Sequence, residues 1–219
     1  MKTKNSLKKL LCLLMALSAS VVMFNSCDKG DEPGGSGNGN GNNPGIGAPT
    51  PTTDPGVVIN GIRWATRNVD VPNTFAPTAE SFGKFYQWNC KFPWQEQNID
   101  DSSTWYVNLP KGNPIPEGWR LATFEEVESL LDTDKVTYQW TTQNGIKGGK
   151  FTDKATSNSI FLPAVGYADY PPTQGVSGWY WFGERGGQVA SATLHFDSSG
   201  AYGWSVSNAN GHSIRPVAW

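Results

Sequence analysis

The chain has 219 residues, of which 16% are charged and 12% aromatic, with 17 basic and 19 acidic side chains and a formal net charge of −2. A balance this even supplies no basic patch, which excludes nucleic acid as a partner. Ten tryptophans make a substantial core feasible in a chain otherwise rich in glycine and polar residues, because aromatic side chains bury more apolar area per residue than any others.

At the N-terminus, Lys2, Lys4, Lys8 and Lys9 precede an apolar run from Leu10 to Phe24 that closes on Phe24-Asn25-Ser26-Cys27. That is the layout of an export signal over residues 1–26. As a helix the run rises only about 22 Å, short of the roughly 30 Å hydrocarbon core, so a permanent span is not expected. A small residue before a cysteine at this place resembles the lipobox of bacterial lipoproteins, and the resemblance implies that Cys27 is diacylated and becomes the first residue of the mature protein. From Cys27 to Gly56 the chain is expected to be a lipid-anchored tether. Gly30 to Gly56 carries nine glycines, five prolines and a single large aliphatic residue, Ile46, too little to build a core. Such a tether reaches about 30 Å, enough to hold a domain clear of lipid headgroups. The acidic start Asp28-Lys29-Gly30-Asp31-Glu32 resembles the signal that sends lipoproteins of Bacteroidetes-type bacteria to the outer face of the outer membrane. Removing the four signal lysines leaves 13 basic against 19 acidic residues, a net charge of −6.

Residues 57–219 suit one domain with one core, and all ten tryptophans lie there. Val57-Val58-Ile59 and Ile62-Arg63-Trp64-Ala65 flank Asn60-Gly61, a strong hairpin signal. Thr123 to Leu131 predicts the one clear helix (about 123–132). Thr123 is its N-cap, Glu126 completes a capping box, and Phe124, Val127, Leu130 and Leu131 line one face. Glu125, Glu126 and Glu128 are read as first-turn acids that favour the helix dipole and face solvent, not as catalytic groups. Beyond Phe151 short strands are predicted over 159–167, 179–182, 190–196, 203–206 and 213–217, with a turn at Asp197-Ser198-Ser199-Gly200. Ala192, Leu194 and Phe196 alternate with Thr193 and His195, which predicts one buried face and an outward-looking His195. One helix and a long strand-rich half argue for an α+β fold.

Site chemistry is sparse. With Cys12 discarded and Cys27 acylated, Cys90 is alone, no intradomain disulfide is available, and inert buried packing is the expected role. His195 and His212 have no ligand partners at a recognised spacing, so neither a metal nor a cofactor is expected. Arg215 is expected to pair with a buried acid or with carbonyls.

Six stretches in order resemble the Fibrobacter succinogenes major paralogous domain family: Asn60-Gly61-Ile62-Arg63-Trp64-Ala65-Thr66-Arg67-Asn68-Val69; Phe85-Tyr86-Gln87-Trp88-Asn89; Pro116-Glu117-Gly118-Trp119-Arg120-Leu121-Ala122-Thr123; Phe161-Leu162-Pro163-Ala164-Val165-Gly166-Tyr167 with Trp179-Tyr180-Trp181; Leu194-His195-Phe196-Asp197-Ser198-Ser199-Gly200; and Ser213-Ile214-Arg215-Pro216-Val217. The resemblance implies a C-type-lectin-like domain, with short twisted antiparallel strands, irregular loops, one clear helix and termini that meet. Where the family has cysteines this chain has Arg67 and Ile115, a joint loss expected if the two would have formed a disulfide. Ala122 and Val127 are further departures from the family pattern.

That fold serves sugar binding, protein binding, fibre tips and, in formylglycine-generating enzymes, cysteine oxidation, so fold alone does not choose a function. The enzyme reading needs reactive thiols, and the lone Cys90 lies in the wrong half of the chain, so no catalytic role is expected. Calcium-dependent lectins resemble a pattern of Glu-Pro-Asn or Gln-Pro-Asp plus Trp-Asn-Asp, none of which occurs, and the loop 169–178 has one acid where calcium needs six to eight oxygens. A calcium-independent site would stack sugars on exposed rings. Its candidates are Tyr170, Tyr180, Tyr202 and Trp204, among the aromatic group Tyr167, Trp179 and Trp181, of which the two tryptophans share a strand face and are alternatively core. Two functions stand: a non-catalytic cell-surface binding module for glycan or protein recognition, and a structural, tip or accessory subunit of a surface fibre or complex. The sequence names neither a ligand nor an oligomeric state.

Overall fold

A computed structural model describes residues 51–91, 93, 113–168, 173–183, 190–208 and 210–219. In chain order its elements are β1 (Val57–Ile59), β2 (Ile62–Trp64), β3 (Trp119–Arg120), α1 (Phe124–Leu130), β4 (Val136–Gln143), β5 (Ile146–Asp153), β6 (Ser159–Pro163), β7 (Ser177–Trp181), β8 (Ala190–Asp197), β9 (Gly200–Ser207) and β10 (Val217–Ala218). They form three antiparallel sheets, ordered β1-β2-β10-β3, β4-β5-β6 and β7-β8-β9, with one short helix: a mixed, mostly β, α+β-leaning fold. Val217 pairs with both Trp64 and Arg120, so the end of the chain lies in one sheet with β1 and β2.

The β1–β2 hairpin turns on Asn60 and Gly61, both at positive φ, as a type I′ connection requires. Asn144-Gly145 has the same geometry and joins β4 to β5, a hairpin over 136–153 that is not among the elements expected above although the same dipeptide signals it. Helix α1 keeps its expected cap. The Thr123 hydroxyl accepts from Glu126 N–H and the Glu126 carboxylate accepts from Thr123 N–H at 2.8 Å. Glu126 does more than expected, because Arg120 donates to both of its oxygens at 2.6 Å, making a bidentate ion pair. Burial pushes the Glu126 carboxyl up, but Arg120 and the capping hydrogen bond outweigh it and hold it below the usual range. Of the predicted apolar face, Val127 and Leu130 are buried, whereas Phe124 at the first helical position is 43% exposed. A seven-residue helix presents less than two full turns to the core, so its first turn projects past the packing surface.

Two further expectations are corrected. The predicted strand 213–217 is a strand only at Val217–Ala218, because its backbone partners scatter: Ser213 O accepts from Trp181, Ile214 O from Val69 and Pro216 O from Ala65. The strand predicted over 159–167 stops at Pro163, whose missing N–H cannot extend the ladder. The folded region also starts before Val57. Pro51 O accepts from Phe75 N–H, and the Asp54 carboxylate accepts from Gly56 N, Thr66 N, Thr66 Oγ1 and Arg67 Nε at 2.8–2.9 Å. Burial pushes Asp54 up, and these donors, Thr66 N–H first, more than reverse it. The position expected to have lost a cysteine thus holds Arg67 in an ion pair with Asp54 and over the Phe75 ring at 5.6 Å, while Ile115 packs with Val69, Tyr86, Trp88 and Leu121.

The principal core joins Ile59, Trp64, Val127, Leu130, Phe151, Leu162, Tyr180, Leu194, Phe196 and Val217. Phe196 is its centre, with Phe151, Tyr180, Tyr138 and Trp140 within 5.7–6.4 Å, ring centre to ring centre. Arg215 is fully buried. It donates from Nε to Asn68 Oδ1 at 2.8 Å and from Nη1 to Ala65 O at 3.1 Å, and burial pushes its pKa down to about 10. Its role is structural, through a carbonyl and an amide.

Candidate aromatic binding face

The register of the β7-β8-β9 sheet sorts its side chains into two faces. On one, Tyr180 pairs with Leu194 and Leu194 with Gly203, facing the core. On the other, three cross-strand rows follow one another: Ser177, Asp197 and Gly200; Trp179, His195 and Tyr202; Trp181, Thr193 and Trp204. Period-two alternation therefore gathers Trp179, Trp181, His195, Tyr202 and Trp204 from three strands on one surface.

The rings form a continuous set. Trp181 lies 4.4 Å from His212 edge-on, His212 stacks on Trp179 at 5.8 Å, Trp179 meets His195 at 4.1 Å, His195 meets Tyr202 at 4.8 Å, and Tyr202 meets Trp204 at 5.9 Å with planes 70° apart. Tyr167 closes on both Trp179 and His212. One end is buried and the other is open: Trp181 lies in a second apolar cluster with Trp88, Ile115 and Ile214, its Nε1 donating to Tyr86 O at 2.6 Å, whereas Tyr202 is 41% and Trp204 54% exposed.

This arrangement corrects the expectation for His195. It does project to the face away from the core, yet it is only 6% exposed, because Trp179 and Tyr202 sit directly opposite on either side and cover it. Burial pushes its pKa down, opposed by the Asp197 carboxylate, so the ring is neutral at physiological pH. His212 is buried further. Neither of its ring nitrogens has a hydrogen-bond partner, and its pKa is pushed down to about 3 by desolvation. Asp197 stands at the end of the sheet. Its carboxylate accepts from Ser199 Oγ at 2.5 Å and Ser199 N at 2.7 Å, and these bonds, the hydroxyl's first, keep it below the usual carboxylate range.

Among the predicted ligand-binding residues, Tyr202 and Trp204 are brought together on the open end of this face. Tyr180 is not. It points to the opposite face, is 2% exposed, donates its hydroxyl to Pro163 O at 2.7 Å and accepts from Asn68 Nδ2 at 3.3 Å. One residue of register decides this, since Tyr180 sits between Trp179 and Trp181 on β7. Tyr170 and Cys27 lie outside the described residues. Trp179, a neighbour of the candidate rings in the sequence, belongs to this face, and Asp197 and His195 join it without having been expected at a site. Their signal was the even spacing 193, 195, 197 against 202, 204.

Cys90 is buried. Among the described residues no three His, Cys, Asp or Glu side chains gather where they could hold a metal ion, and no helix is long and apolar enough to cross a membrane. Set against protein-family models, curated proteins and solved structures, the chain matches none of them.

Proposed function

We propose that this chain is a non-catalytic surface lipoprotein, anchored through Cys27 to the outer membrane and facing the cell exterior, whose folded part is a lectin-like recognition module for glycan or protein ligands. The observation that carries the reading is the exposed Tyr202–Trp204 pair, set on an eight-residue strand and backed by the buried His195 and the half-buried Trp179. Large rings held open to solvent on a rigid sheet are a recognition surface in search of a flat apolar partner, and sugars present such faces while their hydroxyls take polar neighbours. Support for a C-type-lectin-like domain of the Fibrobacter succinogenes major paralogous type comes from the small antiparallel sheets, the single helix among the described residues and the C-terminal strand laid beside the N-terminal hairpin. The non-catalytic reading is supported by the structural employment of the carboxylates: Asp54 holds Arg67, Glu126 caps α1 and holds Arg120, and Asp153 accepts from the backbone of Asn60, Ala155 and Thr156.

A glycan array probed with the full chain tests the reading. Retention of a defined glycan or surface protein that is lost in Trp204→Ala and Tyr202→Ala, with wild-type unfolding curves, supports it; undiminished retention by the double variant removes this face as the site. Anchoring is tested separately: Cys27→Ser should release the protein from membranes, and palmitate incorporated into that variant would refute the assignment.

A second reading, a structural, tip or accessory subunit of a surface fibre or complex, is favoured by β9 itself. It is the last strand of its sheet among the described residues, the position at which a partner strand would extend the sheet. This reading predicts co-purification with other surface proteins from native membranes, and a monomer recovered from mild detergent would count against it.

A further inference from the structure

We infer that residues 51–56 form a strap, pinned by the Asp54 carboxylate, that takes up tension arriving through the anchored N-terminus before it reaches the β1–β2 hairpin. The use of such a strap rests on the reading that the chain is held at Cys27. Pro51-Thr52-Thr53-Asp54-Pro55-Gly56 has the composition of an unstructured linker, and its two prolines remove two of the N–H groups that a strand would use. Side chains take their place. The pairing of Val57 with Trp64, carried on past the open end of the hairpin, sets Pro55 level with Thr66 and Asp54 level with Arg67, and the bonds form there. Asp54 Oδ1 accepts from Gly56 N at 2.8 Å and Thr66 N at 2.9 Å, and Oδ2 accepts from Thr66 Oγ1 and Arg67 Nε, both at 2.8 Å. Thr53 O accepts from Arg67 Nη2, Pro55 O from Arg63 Nη1 at 3.0 Å, and Pro51 O from Phe75 N–H at 2.6 Å. Each carboxylate oxygen thus has two donors, and the Asp54 side chain is closed off from solvent, where a charge-assisted bond is strongest.

The path of the strap is fixed as well. Gly56 has a φ of +64°, and a Cβ there would lie 2.8 Å from Arg63 Cγ and 2.9 Å from Trp119 Cη2, so the chain passes flat against both side chains at a point that only glycine can occupy. Directly after it comes β1, three residues with three partners at the edge of the sheet. So short an edge strand has few bonds to set against a pull on its own end. The pull meets the strap first, because the strap's acceptors all precede Val57 while their donors at Arg63, Thr66, Arg67 and Phe75 belong to the body of the fold. Three of the four donors on Asp54 come from Thr66 and Arg67, and they share a load that a peeling ladder would meet one pair at a time. A recognition module held at one end feels tension whenever its ligand is fixed to something that moves. The strap keeps that tension away from the fold that carries Tyr202 and Trp204.

The test loads single molecules of the mature chain in magnetic tweezers, with one handle coupled to the unacylated Cys27 thiol and the other at the C-terminus; Cys90 is buried and stays out of the coupling. At a fixed force Asp54→Asn should shorten the lifetime of the folded domain about tenfold, and Thr66→Val, which deletes one donor and spares the backbone, about threefold. Thr66→Val decides the matter if Asp54→Asn does not fold. The same variants are then loaded from a cysteine placed at exposed Asp134, beyond the strap, in a Cys27→Ser background, where each should stay within about twofold of wild type. Lifetimes equal to wild type when the variants are pulled through Cys27 would overturn the inference. So would a shortening from Asp134 as large as that from Cys27, since Asp54 would then stabilise the fold without bearing the pull. Because Cys27 is coupled chemically, these results do not depend on its acylation, and palmitate labelling decides the anchor separately.

Discussion

Replacing Gly178 by alanine should destabilise the whole domain although it adds a single methyl group. Gly178 faces Phe196 directly across the β7–β8 pair, and a Cβ built there would lie 2.0, 2.4 and 2.6 Å from three atoms of the Phe196 ring. The backbone at Gly178 is outside the left-handed region, so alanine meets no conformational strain and the penalty is steric alone. Phe196 cannot retreat, since it is fully buried and hemmed by Phe151, Tyr180, Tyr138 and Trp140. Overpacking of this kind costs about 3 kcal/mol at the upper end of its usual range, which in a domain of this size lowers Tm by roughly 6–12 °C. Phe196→Leu alone leaves a void and is also destabilising, but combined with Gly178→Ala it gives the new methyl room. The double variant should therefore be more stable than the sum of the single effects predicts, by about 1 kcal/mol or more. Urea unfolding followed by tryptophan fluorescence measures all three. A Gly178→Ala protein within experimental error of wild type, or strict additivity in the double variant, would refute the packing argument.

Acid should destabilise the domain through His212. Its folded pKa of about 3 lies below the ordinary 6.5, so the unfolded chain takes up a proton that the fold refuses, and stability falls as pH drops from about 6.5 towards 3. At pH 4.5 the loss from this residue is about 2–3 kcal/mol, and His212→Phe should flatten that part of the urea-midpoint profile. Asp54 and Glu126, both held below their ordinary values, contribute stability that is present above pH about 4 and lost as pH falls further, so a carboxylate limb should persist in His212→Phe. Glu126→Ala removes a cap and an ion pair together and should cost about 1–2 kcal/mol by the same assay, more than Thr123→Ala at about 1. Tyr180→Phe should cost about 1–2 kcal/mol in stability and leave ligand retention unchanged, whereas Trp204→Ala should do the reverse. A loss of retention in Tyr180→Phe at full folding would return that residue to the site.

Local signals were legible wherever the chemistry is local. Asn60-Gly61 made its hairpin and Thr123 with Glu126 made its cap because a turn and a cap are decided within four residues. Asn144-Gly145 carried the same message, but the flanking strands mix Thr, Gln, Lys and Gly with few apolar residues, so their alternation was weak. The role of Asp54 was hidden in a glycine- and proline-rich stretch whose composition argues against structure. Four hydrogen bonds reaching up to 13 residues ahead tie it down, and composition does not register such contacts.

Tyr180 and Tyr202 show where sequence reasoning stops. Both are tyrosines on strands among aromatic neighbours, and the sequence placed both at a candidate surface. By itself it determined that an aromatic-rich, cysteine-poor α+β domain with one capped helix follows a segment too poor in apolar residues to form a core, since composition, periodicity and capping act over short distances. Only the tertiary structure decided which rings face water. That depends on the register of β7 against β8 and β9 and on which sheet face the core of Phe151, Leu162 and Phe196 covers. A shift of one residue exchanges the two faces, and the free energy that fixes the register comes from side chains far away in sequence.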